Sequence, residues 1–276
     1  MNRIERRFAT LRSEGRAGLV TYLTAGDPDP GTCSRLFAGL AAAGADLIEI
    51  GMPFSDPMAD GPVIQEAGQR ALKQGMNLRR TFDLVRVLRG ADDTTPVVLM
   101  GYYNPIYRYG PDAFAGDAVA AGVDGVIVVD LPPEEEAELT APAGDAGLDF
   151  IRFTAPTSDE ARLPLIVGSA SGFIYYAAIA GITGTRSADA ADVAAAVARL
   201  RRFTTLPIAV GFGIRTPEQA ATVARAADAA VVGTALVQRL ALNLNPDRTA
   251  KPGLIDAVLA DVRALAAGVR GAGRTR

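Results

Sequence analysis

Two acidic residues, Glu49 and Asp60, lie among residues that otherwise have the character of a buried strand and a tight loop. Glu49 interrupts the apolar run Leu47-Ile48-Glu49-Ile50, and a strand would turn its carboxylate onto the same face as Leu47. If both faces of the sheet are covered, that carboxylate is desolvated, which is costly unless it is protonated or paired. A plainer interpretation is that backbone donors or an arginine satisfy it. Together, a desolvated acid and a loop acid predict proton transfer by a pair whose pKa values are pushed apart.

The sequence contains no histidine, and Cys33 is its only cysteine. The absence of histidine excludes Ser-His and Cys-His nucleophile systems, histidine metal sites and the commonest general base. Acid–base chemistry must therefore rest on carboxylates, tyrosines, lysines or cysteine, and we predict no metal site. A single cysteine also excludes a disulfide within the chain, so the expected compartment is a reducing cytoplasm.

Glycine-rich turns follow the last predicted strands. Gly211-Phe212-Gly213-Ile214 follows the strand at 207–210, and Gly233-Thr234 opens a helix after the strand at 229–232. Such glycines can simply make turns, but they also let backbone N–H groups approach an anion at the positive end of a helix. The position is the usual one for phosphate in phosphate-binding barrels. Residues 181–185 form either a third arm of this cradle or a lid.

Aromatic and apolar residues fall at the ends of the predicted strands or just beyond them. Residues at such positions are usually core. If they line a pocket instead, its flat apolar walls suit an aromatic ring. The residues are Tyr22, Met100, Tyr102, Ile127, Val129, Phe153, Tyr175 and Phe212.

Eight short β-branched runs alternate with amphipathic helices, a pattern typical of a parallel sheet closed by right-handed crossovers. The predicted strands are 18–24, 46–51, 96–101, 125–129, 149–153, 173–177, 207–210 and 229–232. The fold class predicted is α/β, a (β/α)8 or TIM barrel, with an extra N-terminal helix that could plug its bottom and additional helices after strands two and eight. Function in such barrels sits at the C-terminal strand ends, where Glu49 and Asp60 both fall.

Length and composition predict one domain over residues 1–268, followed by a basic and disordered tail at 269–276. A net charge of −3 and a pI near 5.2 indicate neither a nucleic-acid nor an anionic-membrane partner. The N-terminus lacks the apolar core of a signal peptide. Residues 163–185 are uncharged, but Pro164 and several glycines interrupt them, which favours loop, strand and loop over a membrane span.

Four motifs in order carry a resemblance to a known family. IEIGMPFSDPMADGPVIQ begins at Ile48, MGYYNPI at Met100, GITG at Gly181 and GFGI at Gly211. Over nearly its full length the chain resembles the α subunit of tryptophan synthase, the indole-3-glycerol-phosphate lyase half of that enzyme. The resemblance implies retro-aldol cleavage of indole-3-glycerol phosphate to indole and D-glyceraldehyde 3-phosphate in L-tryptophan biosynthesis.

The resemblance also implies roles for individual residues. Glu49 would protonate the indole carbon that bears the side chain and assist deprotonation of the glycerol hydroxyl. Asp60 would accept a hydrogen bond from the indole N–H and stabilise the developing positive charge. The implied phosphate-binding residues are Gly184, Gly213, Gly233 and Thr234. The predicted substrate contacts are Tyr22, Met100, Tyr102, Ile127, Phe153, Tyr175, Thr183 and Phe212.

A partner is implied as well. The family forms an αββα complex with a pyridoxal-phosphate-dependent β subunit that receives the indole. The residues expected to face that partner are Pro53, Phe54, Asp56, Asn104 and Pro105. No cofactor is expected in this chain, because no lysine occupies an evident pyridoxal-phosphate site.

Several positions depart from the family pattern. Thr234 replaces the usual serine, Tyr22 stands where phenylalanine is common, and Ala178 and Ala180 replace residues that are polar in many members.

Two other functions stay open. A regulatory module without lyase activity is disfavoured because both acids are retained. The other open function is that of a different phosphosugar barrel enzyme. An aldolase of the Schiff-base type would need a lysine at a strand end, which we do not find.

Overall fold

All strand pairings in the described sheet are parallel, and helices follow most of the strands. The computed structural model describes residues 1–178, 190–211 and 213–273. The strands are β1 Gly18–Thr24, β2 Leu47–Gly51, β3 Val97–Gly101, β4 Gly125–Val128, β5 Asp149–Phe150, β6 Arg152–Thr154, β7 Ile174–Ala177, β8 Ile208–Gly211 and β9 Ala229–Val232. The helices are α1 Arg3–Ser13, α2 Pro30–Ala43, α3 Pro62–Lys73, α4 Leu78–Ala91, α5 Tyr103–Tyr109, α6 Pro111–Ala121, α7 Ala137–Ala146, α8 Leu163–Gly168, α9 Ala190–Leu200, α10 Pro217–Ala226, α11 Thr234–Leu242 and α12 Leu254–Arg270.

The sheet closes on itself through a single interrupted strand. Its order is β5-β4-β3-β2-β1-β9-β8-β7-β6, so its two edges, β5 and β6, are neighbours in the chain and only Ile151 separates them. The Ile151 N–H donates to the Val126 carbonyl at 2.9 Å, which continues the pairing with β4. The strand predicted at 149–153 is thus two short halves, the first paired with β4 and the second with β7. The predicted (β/α)8 barrel is confirmed.

The interior of the barrel holds its own apolar cluster, separate from the layer between strands and helices. Successive strand residues alternate between the two faces, so Val20, Leu47 and Val98 point inward. Helix α1 joins this inner cluster through Ile4, Phe8 and Leu11. The structure therefore confirms that the N-terminal helix plugs the bottom of the barrel.

Aspartates at the start of several strands fasten the bottom of the sheet. Asp46 accepts from the Leu19 N–H at 3.0 Å, and Asp124 accepts from the Val97 N–H at 2.8 Å. Each of these carboxylates also meets an arginine: Asp46 is paired with Arg16 through two nitrogens, each at 2.9 Å. Charge at this end of the barrel thus serves cohesion between strands, since both carboxylates have partners.

Helices beyond a simple eight-fold repeat occur where they were predicted, with one addition. Helices α3 and α4 follow β2, and α11 and α12 follow β9. Helix α5 was not predicted, because its seven residues are too few to show a periodic apolar stripe. Gly110 separates it from α6 with a φ of 95°. Within the described ranges, no helix is both long enough and apolar enough to cross a bilayer.

Removal of the plug's central side chain tests its contribution. The Phe8 ring is 6 % exposed and lies 5.7 Å from the Phe173 ring, centroid to centroid. We expect Phe8→Ala to lower the free energy of unfolding in urea by about 3 kcal/mol, because a large buried ring is replaced by a cavity. Arg12→Ala on the exposed side of the same helix is the control and should change it by less than about 0.5 kcal/mol. Equal stabilities for the two variants would contradict a plug that belongs to the core.

Candidate active site

A cavity of about 290 Å³ opens at the C-terminal ends of the strands, on the side opposite the α1 plug. Strand-end residues and the loops that follow them form its wall. The lining residues are Tyr22, Glu49, Met52, Ala59, Asp60, Ile64, Met100, Gly101, Tyr102, Val129, Phe153, Ala155, Thr157, Tyr175, Ala177, Gly213, Ile214, Arg215, Val231, Gly233 and Thr234. The predicted site residues from seven strands thus meet around one space.

Glu49 lies at the floor of this cavity. Strand β2 is flanked by β1 and β3, and its inward residues are Leu47, which belongs to the inner cluster, and then Glu49. The Glu49 side chain is 0 % exposed, and neither carboxylate oxygen has a hydrogen-bond partner among the described residues. Desolvation raises the pKa of Glu49 from 4.5 to about 8. The described part of the chain thus offers none of the backbone donors or arginines of the plainer interpretation.

Asp60 is held at the side of the cavity by a tyrosine. The Tyr102 hydroxyl accepts from the Ala59 N–H at 3.1 Å and makes a hydrogen bond with the Asp60 carboxylate. Desolvation raises the pKa of Asp60 to about 6, and the Tyr102 hydrogen bond opposes this rise. Asp60 directly precedes Gly61, the N-cap of α3, so the positive end of that helix favours the ionised carboxylate.

The two acids differ in charge at neutral pH. With pKa values of about 8 and about 6, Glu49 is protonated and Asp60 ionised, each by about ten to one at pH 7. One environment has no donors and the other has Tyr102, which accounts for the difference. One cavity therefore presents both a neutral acid and an anion, as proton donation to carbon with stabilisation of a developing cation requires.

Helix α3, which follows Asp60, is anchored by a buried ion pair. Arg70 of α3 donates to both carboxylate oxygens of Asp27, at 2.6 and 2.9 Å, and both side chains are buried. Asp27 belongs to the loop after β1, so the bidentate pair joins that loop to helix α3. The helix that follows Asp60 is thus held by an ion pair whose two residues do not line the cavity.

Two tyrosines form opposite walls by leaning across glycines. A Cβ atom at Gly51 would overlap the Tyr22 hydroxyl oxygen, and one at Gly211 would overlap the Tyr175 hydroxyl oxygen. Tyr22 pairs with Glu49 in the sheet, so its ring leans over β2 just above the buried acid. Tyr175 stacks on Phe153 with ring centroids 4.9 Å apart. These flat walls leave a slot for a planar ring between them.

The opposite end of the cavity has exposed backbone. Gly213 adopts a φ of 72°, and Gly233 is the N-cap of α11, whose first residue is Thr234. The first N–H groups of a helix have no acceptor within it, and the helix dipole places positive charge there. A Cβ at Gly233 would lie 3.1 Å from the Tyr22 Cβ, so a side chain here would crowd the cavity wall. This arrangement can bind an anion.

Most of the predicted contacts lie on the cavity, and Ile127 does not. Ile127 is fully buried in the inner cluster, whereas Val129, further along the same face, lines the cavity. Thr183, Gly184 and Phe212 lie outside the described residues, as does Ala180. The residues absent from the sequence-based set include Ala155, Ala177 and Arg215. Strand alternation continued past Phe153 and Tyr175 points to the two alanines, whereas a single arginine after a turn carries no pattern.

The residues expected to face a partner come together outside the cavity. Pro53 and Pro105 line a separate groove of about 400 Å³, and Asp56 and Asn104 are exposed. Phe54 packs on Tyr102, with ring centroids 5.6 Å apart. Within the described ranges, no three His, Cys, Asp or Glu side chains are grouped so as to hold a metal ion.

Known proteins similar to this chain identify its family. The family described as "Tryptophan synthase alpha chain" matches residues 8–262. The tryptophan synthase alpha chain of Acidiphilium cryptum (strain JF-5) is 58% identical over 271 residues, which is 98% of each chain. The crystal structure of tryptophan synthase subunit alpha from Legionella pneumophila str. Paris superposes with a TM-score of 0.89 at 39% identity, covering 98% of each chain. A structure of Mycobacterium tuberculosis tryptophan synthase gives 0.88 at 37% identity, with the same coverage.

The match extends from the α1 plug into the closing helix α12, and it therefore includes every strand that contributes to the cavity. The sequence identity of 58% to the Acidiphilium cryptum relative extends over 98% of both chains, so the similarity is not confined to one part of the barrel. The chain belongs to the tryptophan synthase alpha chain family.

Proposed function

We propose that the cavity above β2 binds indole-3-glycerol phosphate and that Glu49 and Asp60 cleave it to indole and glyceraldehyde 3-phosphate. As a member of its family the protein is a lyase of tryptophan biosynthesis. The observation that carries the assignment of Glu49 is its complete enclosure without a hydrogen-bond partner among the described residues, at the floor of the cavity. Such a carboxyl group holds its proton at neutral pH and can deliver it to carbon.

The first step is protonation of the ring. Neutral Glu49 gives its proton to the indole carbon that bears the glycerol chain, a new C–H bond forms, and positive charge develops toward the ring nitrogen. Asp60, ionised at pH 7, accepts a hydrogen bond from the ring N–H and stabilises that charge. The slot between Tyr22 and the Tyr175–Phe153 stack holds the ring flat between the two acids.

The second step breaks the carbon–carbon bond. Its electron pair returns to the ring, which restores neutral indole, and a carbonyl forms on the departing carbon as its hydroxyl loses a proton. The Glu49 carboxylate left by the first step takes up that proton, so the acid is regenerated. Burial favours this return, because the charged form of Glu49 is the less stable one in the cavity.

The phosphate end anchors the substrate. Gly213 and the start of α11 at Gly233 and Thr234 supply backbone donors at the far side of the cavity from Asp60. The substrate thus lies with its anionic tail at β8 and β9 and its reacting carbon over β2. Thr234 keeps the hydroxyl of the usual serine, so it can donate to the phosphate. An aldolase of the Schiff-base type has no support here, because no lysine lines the cavity among the described residues.

We propose further that the face carrying Pro53, Phe54, Asp56, Asn104 and Pro105 binds a β subunit and gives an αββα assembly. Met58 is 74% exposed and Tyr107 is 60% exposed, and both belong to the two segments that carry this face. Exposed apolar side chains of this size are typical of a protein interface. A route to the cavity exists, since Phe54 packs on Tyr102 and Tyr102 holds Asp60.

We propose as well that this chain needs no cofactor of its own and that pyridoxal phosphate is bound by the β partner. Its support is the retro-aldol chemistry itself, which the two carboxyl groups can complete. We also propose a cytoplasmic location, for which the single cysteine is the support.

Glu49→Gln tests the acid directly. The amide keeps the size of the side chain but cannot transfer a proton, so we expect kcat for indole release to fall on the order of a thousandfold with KM nearly unchanged. Glu66→Gln, on the exposed side of the following helix, is the matched control and should keep full activity. Near-normal turnover by Glu49→Gln would remove Glu49 from the mechanism. A regulatory module without lyase activity would show no indole release from the unsubstituted chain alone.

Asp56→Ala tests the partner face. We expect this variant to keep the partner-free rate of indole release and to lose at least about half of the acceleration that a candidate β subunit gives, because an exposed interface charge is removed. Asp93→Ala, exposed at the start of the third strand and so at the other end of the barrel, is the control. Unchanged acceleration in Asp56→Ala would count against the loop as a contact with the partner.

A further inference from the structure

Arg215 lines the cavity beside Gly213, Gly233 and Thr234, and it is the one cationic side chain among the described residues that do so. Resting on the function proposed above, we propose that Arg215 recognises the phosphate dianion of the substrate and fixes the direction in which the substrate enters. The backbone cradle alone would bind an anion at this end. Arg215 adds a full charge and a planar set of donors that matches phosphate oxygens.

The backbone of Arg215 is held on both sides. Ile214 before it is buried, and the Arg215 N–H donates to the Gln219 side-chain oxygen at 2.7 Å. Thr216 after it is the N-cap of α10, and its hydroxyl accepts from the Gln219 N–H at 3.3 Å. Arg215 is exposed and lines the cavity, so the residue combines a restrained backbone with a position at the cavity mouth.

The start of α10 is also packed from outside. A Cβ atom at Gly268 of α12 would overlap the Pro217 carbonyl oxygen, so the two helices touch through backbone at this point. The closing helix α12 therefore supports the first residue of α10, which lies two positions after Arg215. Because the backbone next to Arg215 is restrained in this way, binding of an anion by this residue does not first require a loop to become ordered.

Charge across the cavity is arranged as a dipole. Asp60 is ionised at one side and Glu49 is largely neutral, while the substrate phosphate brings close to two negative charges. The end of a helix supplies only about half a positive charge. Without a cation at the far end, phosphate and Asp60 would both be negative in a cavity of about 290 Å³. Arg215 draws the phosphate to the side away from Asp60 and leaves the ring to approach that acid.

This role predicts an effect on binding and little on chemistry. Arg215 belongs to the mouth, whereas the proton transfers occur over β2. The attraction also acts through water, so salt should screen it. Arg215→Lys keeps the charge but loses the planar fork, and it should lie between the unsubstituted protein and Arg215→Ala.

The test compares Arg215→Ala, Arg215→Lys and Arg225→Ala in indole release at low and high ionic strength. Arg225 lies exposed on α10, the helix that follows Arg215, and does not line the cavity, which makes it the matched control. We expect Arg215→Ala to raise KM by about tenfold at low salt with kcat within about twofold, and the difference in KM to shrink as salt is added. Inorganic phosphate should also bind more weakly to Arg215→Ala by calorimetry, while indole binds equally well.

Unchanged KM and unchanged phosphate affinity in Arg215→Ala would overturn the role of Arg215, and so would a loss confined to kcat. A thermal unfolding curve that matches the unsubstituted protein excludes a folding defect as the cause of weaker binding. Failure of the unsubstituted protein to release indole would refute the proposed function instead. The calorimetric comparison with phosphate still decides the role of Arg215 in that case, since it requires no turnover.

Discussion

The enclosure of one carboxyl group, that of Glu49, is the constraint on which the rest of the structure depends. Placing it at 0 % exposure with no hydrogen-bond partner among the described residues opposes its ionisation. The barrel makes this possible because apolar side chains and the α1 plug close the space beneath β2, so water does not reach the acid from below. A sheet with one open face would solvate the group and return it to an ordinary acid.

The same enclosure requires the other charges to be placed with care. At the bottom of the barrel, the buried carboxylates of Asp46 and Asp124 have arginine partners and serve cohesion. At the mouth, Asp60 is restrained by Tyr102, and the backbone at Gly233 forms an anion cradle on the other side. Charge is therefore structural at one end of the barrel and functional at the other, as expected for this architecture.

Strand periodicity is a local property, and it sufficed to predict the barrel and the face that Glu49 shares with Leu47, which proves to be the inner one. The interruption of the fifth strand at Ile151 could not be predicted in the same way, because it arises where the ring of strands closes and depends on both neighbours. Ile127 and Val129 share a face, and alternation alone does not tell that Ile127 is buried in the inner cluster whereas Val129 lines the cavity. Arg215 was missed because a lone arginine after a turn resembles any exposed charge.

The most direct test is a titration of the Glu49 carboxyl in the folded protein by NMR, with its signal identified by its disappearance in Glu49→Gln. We predict a midpoint near pH 8. Because the folded protein would hold this proton more tightly than the unfolded chain, the group favours folding below about pH 4.5 and loses that contribution as the pH rises to about 8. A midpoint near the ordinary value of 4.5 would show a solvated or paired carboxylate and would contradict a buried proton donor.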